Sequence, residues 1–114
     1  MIDERFTKAI DKLLAKATED YSAWCERSSG LTDGSAIEDF AEGFEINSGR
    51  KYIKIIRNDG NQRSVWGFIV KQDFGKFLAG DILKPAGWAA PATNAARGNI
   101  FSEYTVRWTG PLYL

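Results

Sequence analysis

The hydrophobic residues of this chain change period once, from the 3.6 residues of a helix to the 2 of a strand, and that switch constrains the fold most. Ile2, Phe6, Ile10, Leu13, Ala17, Tyr21 and Trp24 recur at steps of 4, 4, 3, 4, 4 and 3. Such steps build one apolar face of a helix sustained over about six turns. Asp3 and Glu4 fall in its first turn, where carboxylates suit the positive end of the helix dipole. Gly30, after Ser28 and Ser29, is a natural stop, so the spacing predicts a helix over 1–30. A stripe this long needs a surface to lie on. In a short chain that surface is either its own β segment or the same helix of a second copy, which makes a homo-oligomer one expected state.

From about residue 43 the period is two. Ser35 and Glu38 form a capping-box pattern that predicts a short helix over about 36–41, followed by a strand over about 43–47. A strand over Lys51 to Arg57 leads into Asn58-Asp59-Gly60-Asn61, a strong hairpin signal, and Arg63 to Lys71 is the returning strand. Simple alternation puts Val65, Gly67 and Ile69 on one side of that strand and Trp66, Phe68 and Val70 on the other. Both sides are apolar, so the strand is expected to be central and covered twice. Gly67 leaves room for a close neighbour such as an aromatic ring. Ile82-Leu83 is a short strand launched by Gly80-Asp81 and stopped by Lys84-Pro85. Pro91 and Gly98 bracket an alanine-rich stretch that predicts a short helix or turn over about 92–97. A last strand, Tyr104 to Thr109, is broken by Gly110-Pro111, and Leu112-Tyr113-Leu114 is an apolar tail. The expected fold class is α+β: a long N-terminal helix packed on a small bent antiparallel sheet or partly open β-barrel of about five strands. It is one domain over 1–114, with the helix at 1–30 and the β-rich segment at 43–114.

Composition narrows the chemistry. There is no histidine, which removes Ser-His-Asp and Cys-His arrangements and the commonest zinc ligand. Cys25 is the single cysteine, so the chain forms no intrachain disulfide. Without a recognisable catalytic motif, the expectation is a protein that is not an enzyme and that uses no metal or other cofactor. No apolar run approaches the ~18 residues of a membrane span. Asp3, Glu4 and Asp11 interrupt any signal-peptide pattern, so neither membrane insertion nor secretion by a signal peptide is expected.

The net charge of zero conceals a split in sign. Residues 1–45 hold 11 acidic and 5 basic side chains; residues 46–114 hold 4 acidic and 10 basic, with 10 of the 15 aromatics. Lys and Arg interleaved with aromatics in a β segment suit single-stranded nucleic acid, whose phosphates need cations and whose unstacked bases need platforms. Tyr52, Lys54, Arg57, Arg63 and Arg97 are the candidate contacts. The same residues also fit a domain whose aromatics fill the core and whose cations form its solvated rim, or are covered by the acidic part. The chain's pI near 6.3 favours these latter arrangements. Arg97-Gly98 reads either as an anion-holding turn or as a helix C-cap. Glu38 and Glu42 share a helical face beside Asp39, but read as a solvated acidic turn more readily than as a cation site. Arg5, Lys8, Lys12 and Lys16 form a basic stripe that reads as a solvated helix face. Cys25 reads as a half-buried structural thiol, and Asp81 as a turn residue bonding backbone.

Several blocks carry a resemblance: Lys51-Tyr52-Ile53-Lys54-Ile55, Ser64-Val65-Trp66-Gly67-Phe68-Ile69-Val70, Gly80 to Trp88, Pro91-Ala92, Ala96 to Ile100, and Trp108-Thr109-Gly110-Pro111. In this order they resemble small uncharacterised proteins of tailed phages, with the T4-like phages of marine cyanobacteria as expected nearest relatives. The resemblance covers Phe44 to Leu114. It implies a viral origin, in host cytoplasm or virion, and no catalytic residues. The resulting expectation is a non-enzymatic, phage-encoded protein-interaction or minor structural protein. It would act on its own copies or on another phage or host protein, with single-stranded nucleic-acid binding as the alternative.

Overall fold

The computed structural model describes residues 4–29, 40–59, 61–93, 95–102, 104–107 and 110–111. Helix α1 runs Glu4–Ser29. Strands β1 (Phe44–Ser48), β2 (Tyr52–Asp59), β3 (Gln62–Val70) and β4 (Ile82–Leu83) form one antiparallel sheet in that order. Strands β5 (Val106–Arg107) and β6 (Gly110–Pro111) form a separate two-stranded ladder. The fold is therefore α+β, as the change of period requires, and among the described residues the sheets do not close into a barrel.

The helix lies on its own sheet. Phe6, Ile10, Leu13 and Ala17 are buried in one cluster with Ile53, Ile55, Trp66 and Ile69, and Val106 of β5 joins them. Each fully buried Leu or Ile contributes about 1.5–3 kcal/mol relative to exposure. Further along, the stripe passes over the edge of the sheet: Tyr21 is half-buried and Trp24 is 41% exposed. Tyr21 stacks on Phe40 at 4.4 Å, Phe40 meets Phe44 edge-on at 5.3 Å, and Phe44 meets Trp66 at 6.2 Å. This file of rings ties the C-terminal half of the helix to β1 and β3. Phe40 belongs to a helical turn that ends at Gly43, whose N–H donates to the Phe40 carbonyl. The Ser35–Glu38 capping pattern lies outside the described residues, as do Glu38 and Asp39.

Strand β3 is central and buried on both faces from Trp66 to Val70. Simple alternation fails within it. The β2–β3 register steps from Ile55↔Gly67 to Ile56↔Val65, leaving Trp66 as an extra residue in a bulge. A one-residue slip sends every side chain beyond it to the opposite face. Trp66 therefore joins Ile69 on the helix side, whereas Val65 joins Phe68 and Val70 on the outer side, contrary to the period-two expectation. The neighbour that Gly67 admits is Pro111: a Cβ added at Gly67 would stand 3.1 Å from the proline ring. This also corrects the reading of Gly110-Pro111. The pair turns the chain back as β6, where it packs on Gly67 and the Trp66 carbonyl. Of the expected last strand, β5 covers Val106–Arg107; Trp108, Thr109 and the apolar tail lie outside the described residues.

Of the segment expected as a helix or turn over 92–97, the described residues 92–93 and 95–97 form neither and run along β4 instead. The Ala92 and Arg97 N–H groups donate to Lys84 and Ile82 carbonyls at 2.7 Å each, and Ile82 N–H donates to Gly98 at 2.8 Å. Backbone groups must find partners somewhere, and here the open edge of β4 outweighs the helical preference of alanine, since tertiary pairing overrides local propensity. The turn before β4 is locked by buried Asp81. Its carboxylate accepts from Leu78 N–H at 2.9 Å and from the Asn99 amide at 3.0 Å. Gly80 within this turn has φ +92°, and a Cβ there would stand 2.6 Å from the Phe101 ring.

Gly80→Ala is expected to destabilise the fold by about 1–3 kcal/mol through backbone strain and overlap. Gly87→Ala, where an added Cβ meets nothing within 4 Å, should stay within about 0.5 kcal/mol of the parent. Urea unfolding of both variants checks the contrast; equal effects would show that the Gly80 turn is not the constraint described.

Candidate functional site

Alternation along β2 sends Ile53 and Ile55 to the helix and leaves Tyr52 and Lys54 on the outer face, opposite Val70 and Phe68 of β3. Asn58 and Arg63, paired across the hairpin, share that face. The outer face carries its own apolar cluster of Phe68, Val70, Phe77 and Leu83, against which Tyr52, Val65, Phe74 and Ala96 pack. Tyr52 meets Phe68 and Phe74 edge-on, each at 5.8 Å.

Residues 85–91 fold over this face as a loop closed by a bridge between Pro85 and Pro91. Ala86 and Gly87 N–H groups both donate to the Ala90 carbonyl. At its tip Trp88 is 48% exposed, with Lys54 Nζ 4.0 Å and Arg63 Cζ 5.3 Å from its ring centre. Such contacts contribute about 0.5–2 kcal/mol each, depending on how far the cation is desolvated. Trp88 is absent from the five residues named from the sequence, and one signal marks it: a large aromatic placed between two prolines and next to glycine in a loop.

Arg63 is held from its other side as well. Its guanidinium donates to Glu45 at 2.7 Å and to the Asn58 side-chain oxygen at 3.2 Å. Asn58 also donates to Glu45, at 3.3 Å. The Asn58 bond, followed by the charge and hydrogen bond of Arg63 and the bond from Asn47, holds the Glu45 carboxyl below its ordinary value against the opposing effect of burial.

Beside this network lies a hollow of about 480 Å³. Arg50, Lys51 and Lys54 border it, Tyr52 and Phe68 line it, and Ala89 comes from the Trp88 loop. Among the described residues no carboxylate lines it. The turn that carries Arg50 is fixed by Lys71, whose ammonium donates to Ser48 Oγ at 2.8 Å and the Gly49 carbonyl at 3.1 Å.

Of the five sequence-derived candidates, the structure brings Tyr52, Lys54 and Arg63 together. Arg57 points to the helix side, with its guanidinium 4.1 Å from the Phe40 ring and 5.5 Å from Phe44, and donates to the Asn58 carbonyl. Arg97 is half-buried beside Lys84 at the β4 end of the molecule, and its Nε donates to the Ala95 carbonyl. Burial, and then the nearby charge of Arg97, lower the pKa of Lys84, whose ammonium donates to the Pro111 carbonyl at 2.8 Å. Arg97 does not cap a helix, since the described residues around it form none.

The remaining candidates are accounted for locally. Within the basic helix stripe, Arg5 lies over the Phe101 ring at 4.5 Å and Lys16 over Tyr104 at 4.2 Å, while Lys8 pairs with Glu4 at 3.2 Å. Acidic and basic parts of the chain meet in the Arg63–Glu45 and Arg107–Asp20 pairs. Cys25 is a half-buried thiol outside any disulfide. Among the described residues no three acidic or thiol groups cluster as a metal site would need, and no helix is long and apolar enough to cross a membrane.

Residues 2–112 match a family of unknown function, DUF7717. No curated protein and no solved structure matches the chain.

The Glu45 network generates a pH dependence. A carboxyl whose folded pKa is depressed contributes stability above its unfolded pKa, and that contribution disappears as pH falls through the folded value. Glu45→Gln should therefore be less stable than the parent near neutral pH, with the difference closing on acidification below the ordinary value of 4.5. Chemical unfolding of both proteins across this range checks it; a constant gap would remove Glu45 from the titrating groups.

Proposed function

From the premise that the chain belongs to this family of unknown function, we propose that it is a non-enzymatic binding protein whose outer sheet face receives single-stranded nucleic acid. The observation that carries this reading is the hollow bordered by Arg50, Lys51 and Lys54 and lined by Tyr52 and Phe68, with no carboxylate in its lining among the described residues. Half-exposed Trp88 stands next to it on the same face. Cations at this spacing favour a chain of phosphates. An accessible indole and phenol give unpaired bases a surface to stack on, at about 1–3 kcal/mol per base. The zero net charge does not oppose this, because a ligand at the outer face meets the local charge, and there the Glu45 carboxylate is paired with Arg63.

In this reading Tyr52, Lys54 and Arg63 keep the roles the sequence suggested, Trp88, Arg50 and Lys51 are added, and Arg57 and Arg97 are withdrawn. A phage origin, which the sequence resemblance implies, forms part of the proposal and fits either a virion component or a factor acting in the host. A second reading, contact with a protein partner, is supported by Trp24, Leu78 and Phe101, large apolar side chains with exposures of 41%, 59% and 39%.

Fluorescence anisotropy with labelled mixed-sequence single-stranded oligonucleotides, at low and at physiological salt, tests the proposal. Affinity should fall as salt rises, and Lys54→Ala should weaken binding several-fold and reduce the salt slope by about one. Lys12→Ala, on the exposed side of the helix, should change neither. No binding at low salt would overturn the nucleic-acid reading and leave the protein-contact one.

A further inference from the structure

The outer face holds two kinds of surface that differ in shape. Trp88 presents a half-exposed ring on a loop tip, with Lys54 and Arg63 against it. The neighbouring hollow is concave, and its volume of about 480 Å³ falls within the range of roughly 300–1,000 Å³ occupied by small-molecule sites. An extended strand alone needs only a track of cations and a series of platforms; it does not need a concavity. The lining is also divided in its chemistry. Arg50 and Lys51 stand where the chain turns from β1 into β2, while Tyr52 and Phe68 lie side by side across β2 and β3. Asn47, directly opposite Lys54 in the β1–β2 ladder, adds an amide whose nitrogen donates to Glu45 at 3.3 Å and keeps a second N–H and its oxygen for a ligand.

We infer that this hollow is a binding site for a single nucleoside phosphate unit. The phosphate is met by Arg50 and Lys51, the base lies toward Tyr52 and Phe68, and the amide of Asn47 is within the lining to meet a base edge. This rests on the nucleic-acid reading and sharpens it: the face does not treat all nucleotides of a strand alike, because one is seated in the hollow while its neighbour stacks on Trp88. The division of the lining explains why neither part of the ligand suffices. A free phosphate uses the cations but leaves the aromatic side unfilled. An apolar ring without phosphate leaves three cations, Arg50, Lys51 and Lys54, around the rim without their counter-charge.

The site has a fixed frame. Lys71 pins the turn through Ser48 and Gly49, and Gly49 N–H donates to the Tyr52 carbonyl at 2.8 Å, closing the turn that carries Arg50 and Lys51. A cation pair on a turn bonded at both ends loses less freedom on binding than one on a loose loop.

Competition tests the inference with the full chain. A labelled single-stranded oligonucleotide is bound first, and adenosine monophosphate, ribose 5-phosphate and inorganic phosphate are each titrated against it. Adenosine monophosphate should displace the oligonucleotide at a concentration at least about tenfold lower than the other two need, the factor expected when one stacked base is lost. Arg50→Ala, a change at an exposed turn that leaves the core intact, should raise the adenosine monophosphate concentration required by about tenfold. Asn47→Ala should raise it by less. If the oligonucleotide binds but adenosine monophosphate fails to displace it, or phosphate displaces it equally well, the hollow is not a nucleotide site, although the face still binds a strand. If the oligonucleotide does not bind at all, the functional reading and this inference fall together.

Discussion

Strand β3 is apolar on both faces, and the arrangement of the rest of the molecule follows from the need to cover it twice. Five consecutive residues, Trp66 to Val70, are buried. A strand in that position requires a layer above and a layer below. The helix supplies one layer through Phe6, Ile10, Leu13 and Ala17, with β5 and β6 filling the remainder of that side. With α1 and the β5–β6 ladder placed there, the chain covers the opposite face with what lies between β3 and β5. The Phe74–Phe77 turn and the extended segment around Ala96 do so. The outer face is consequently a patchwork of loops on strands, and concavities form where a loop meets a sheet.

The bulge at Trp66 makes this double covering possible. By adding one residue to β3, it delivers the large indole to the helix side, where Phe44 meets it edge-on, and leaves the smaller Val65 on the outer side. Without the bulge, Trp66 would crowd Phe68 and Val70 and the helix would face a gap. Gly67 next to it lets Pro111 approach closely enough to seal the helix side. The same pleat places Lys54 and Arg63 outward, where the indole of Trp88 draws them together. Core packing and the candidate site are thus two faces of one registration, β2 against β3.

Much of this was legible in the sequence, for reasons that differ by residue. The helix stripe is a long periodic signal, and α1 follows it from Glu4 to Ser29 among the described residues. The Asp59-Gly60 hairpin signal and the double-sided apolarity of β3 are local and strong. What escaped were features decided by pairing. No single-strand pattern reveals a bulge, so Trp66 and Val65 were assigned to each other's faces. The 92–97 segment carries helix-bracketing residues, but its backbone groups are claimed by the edge of β4, a partner far away in sequence. Among site residues, Tyr52 and Lys54 follow from alternation alone, and Arg63 from the hairpin. Arg57, one step out of phase with Lys54 plus two, is on the helix side for the same reason. Trp88 and Arg50 belong to loops, whose position relative to the sheet has no periodic signature.

The most direct examination of this account is amide chemical-shift mapping of the full chain as single-stranded oligonucleotide is added. The account predicts perturbations concentrated on residues 47–54 and 86–89 and at Arg63, with the helix residues 8–19 unmoved. Perturbations gathered on the helix, or on Arg57 and Arg97 in preference to the outer face, would contradict it.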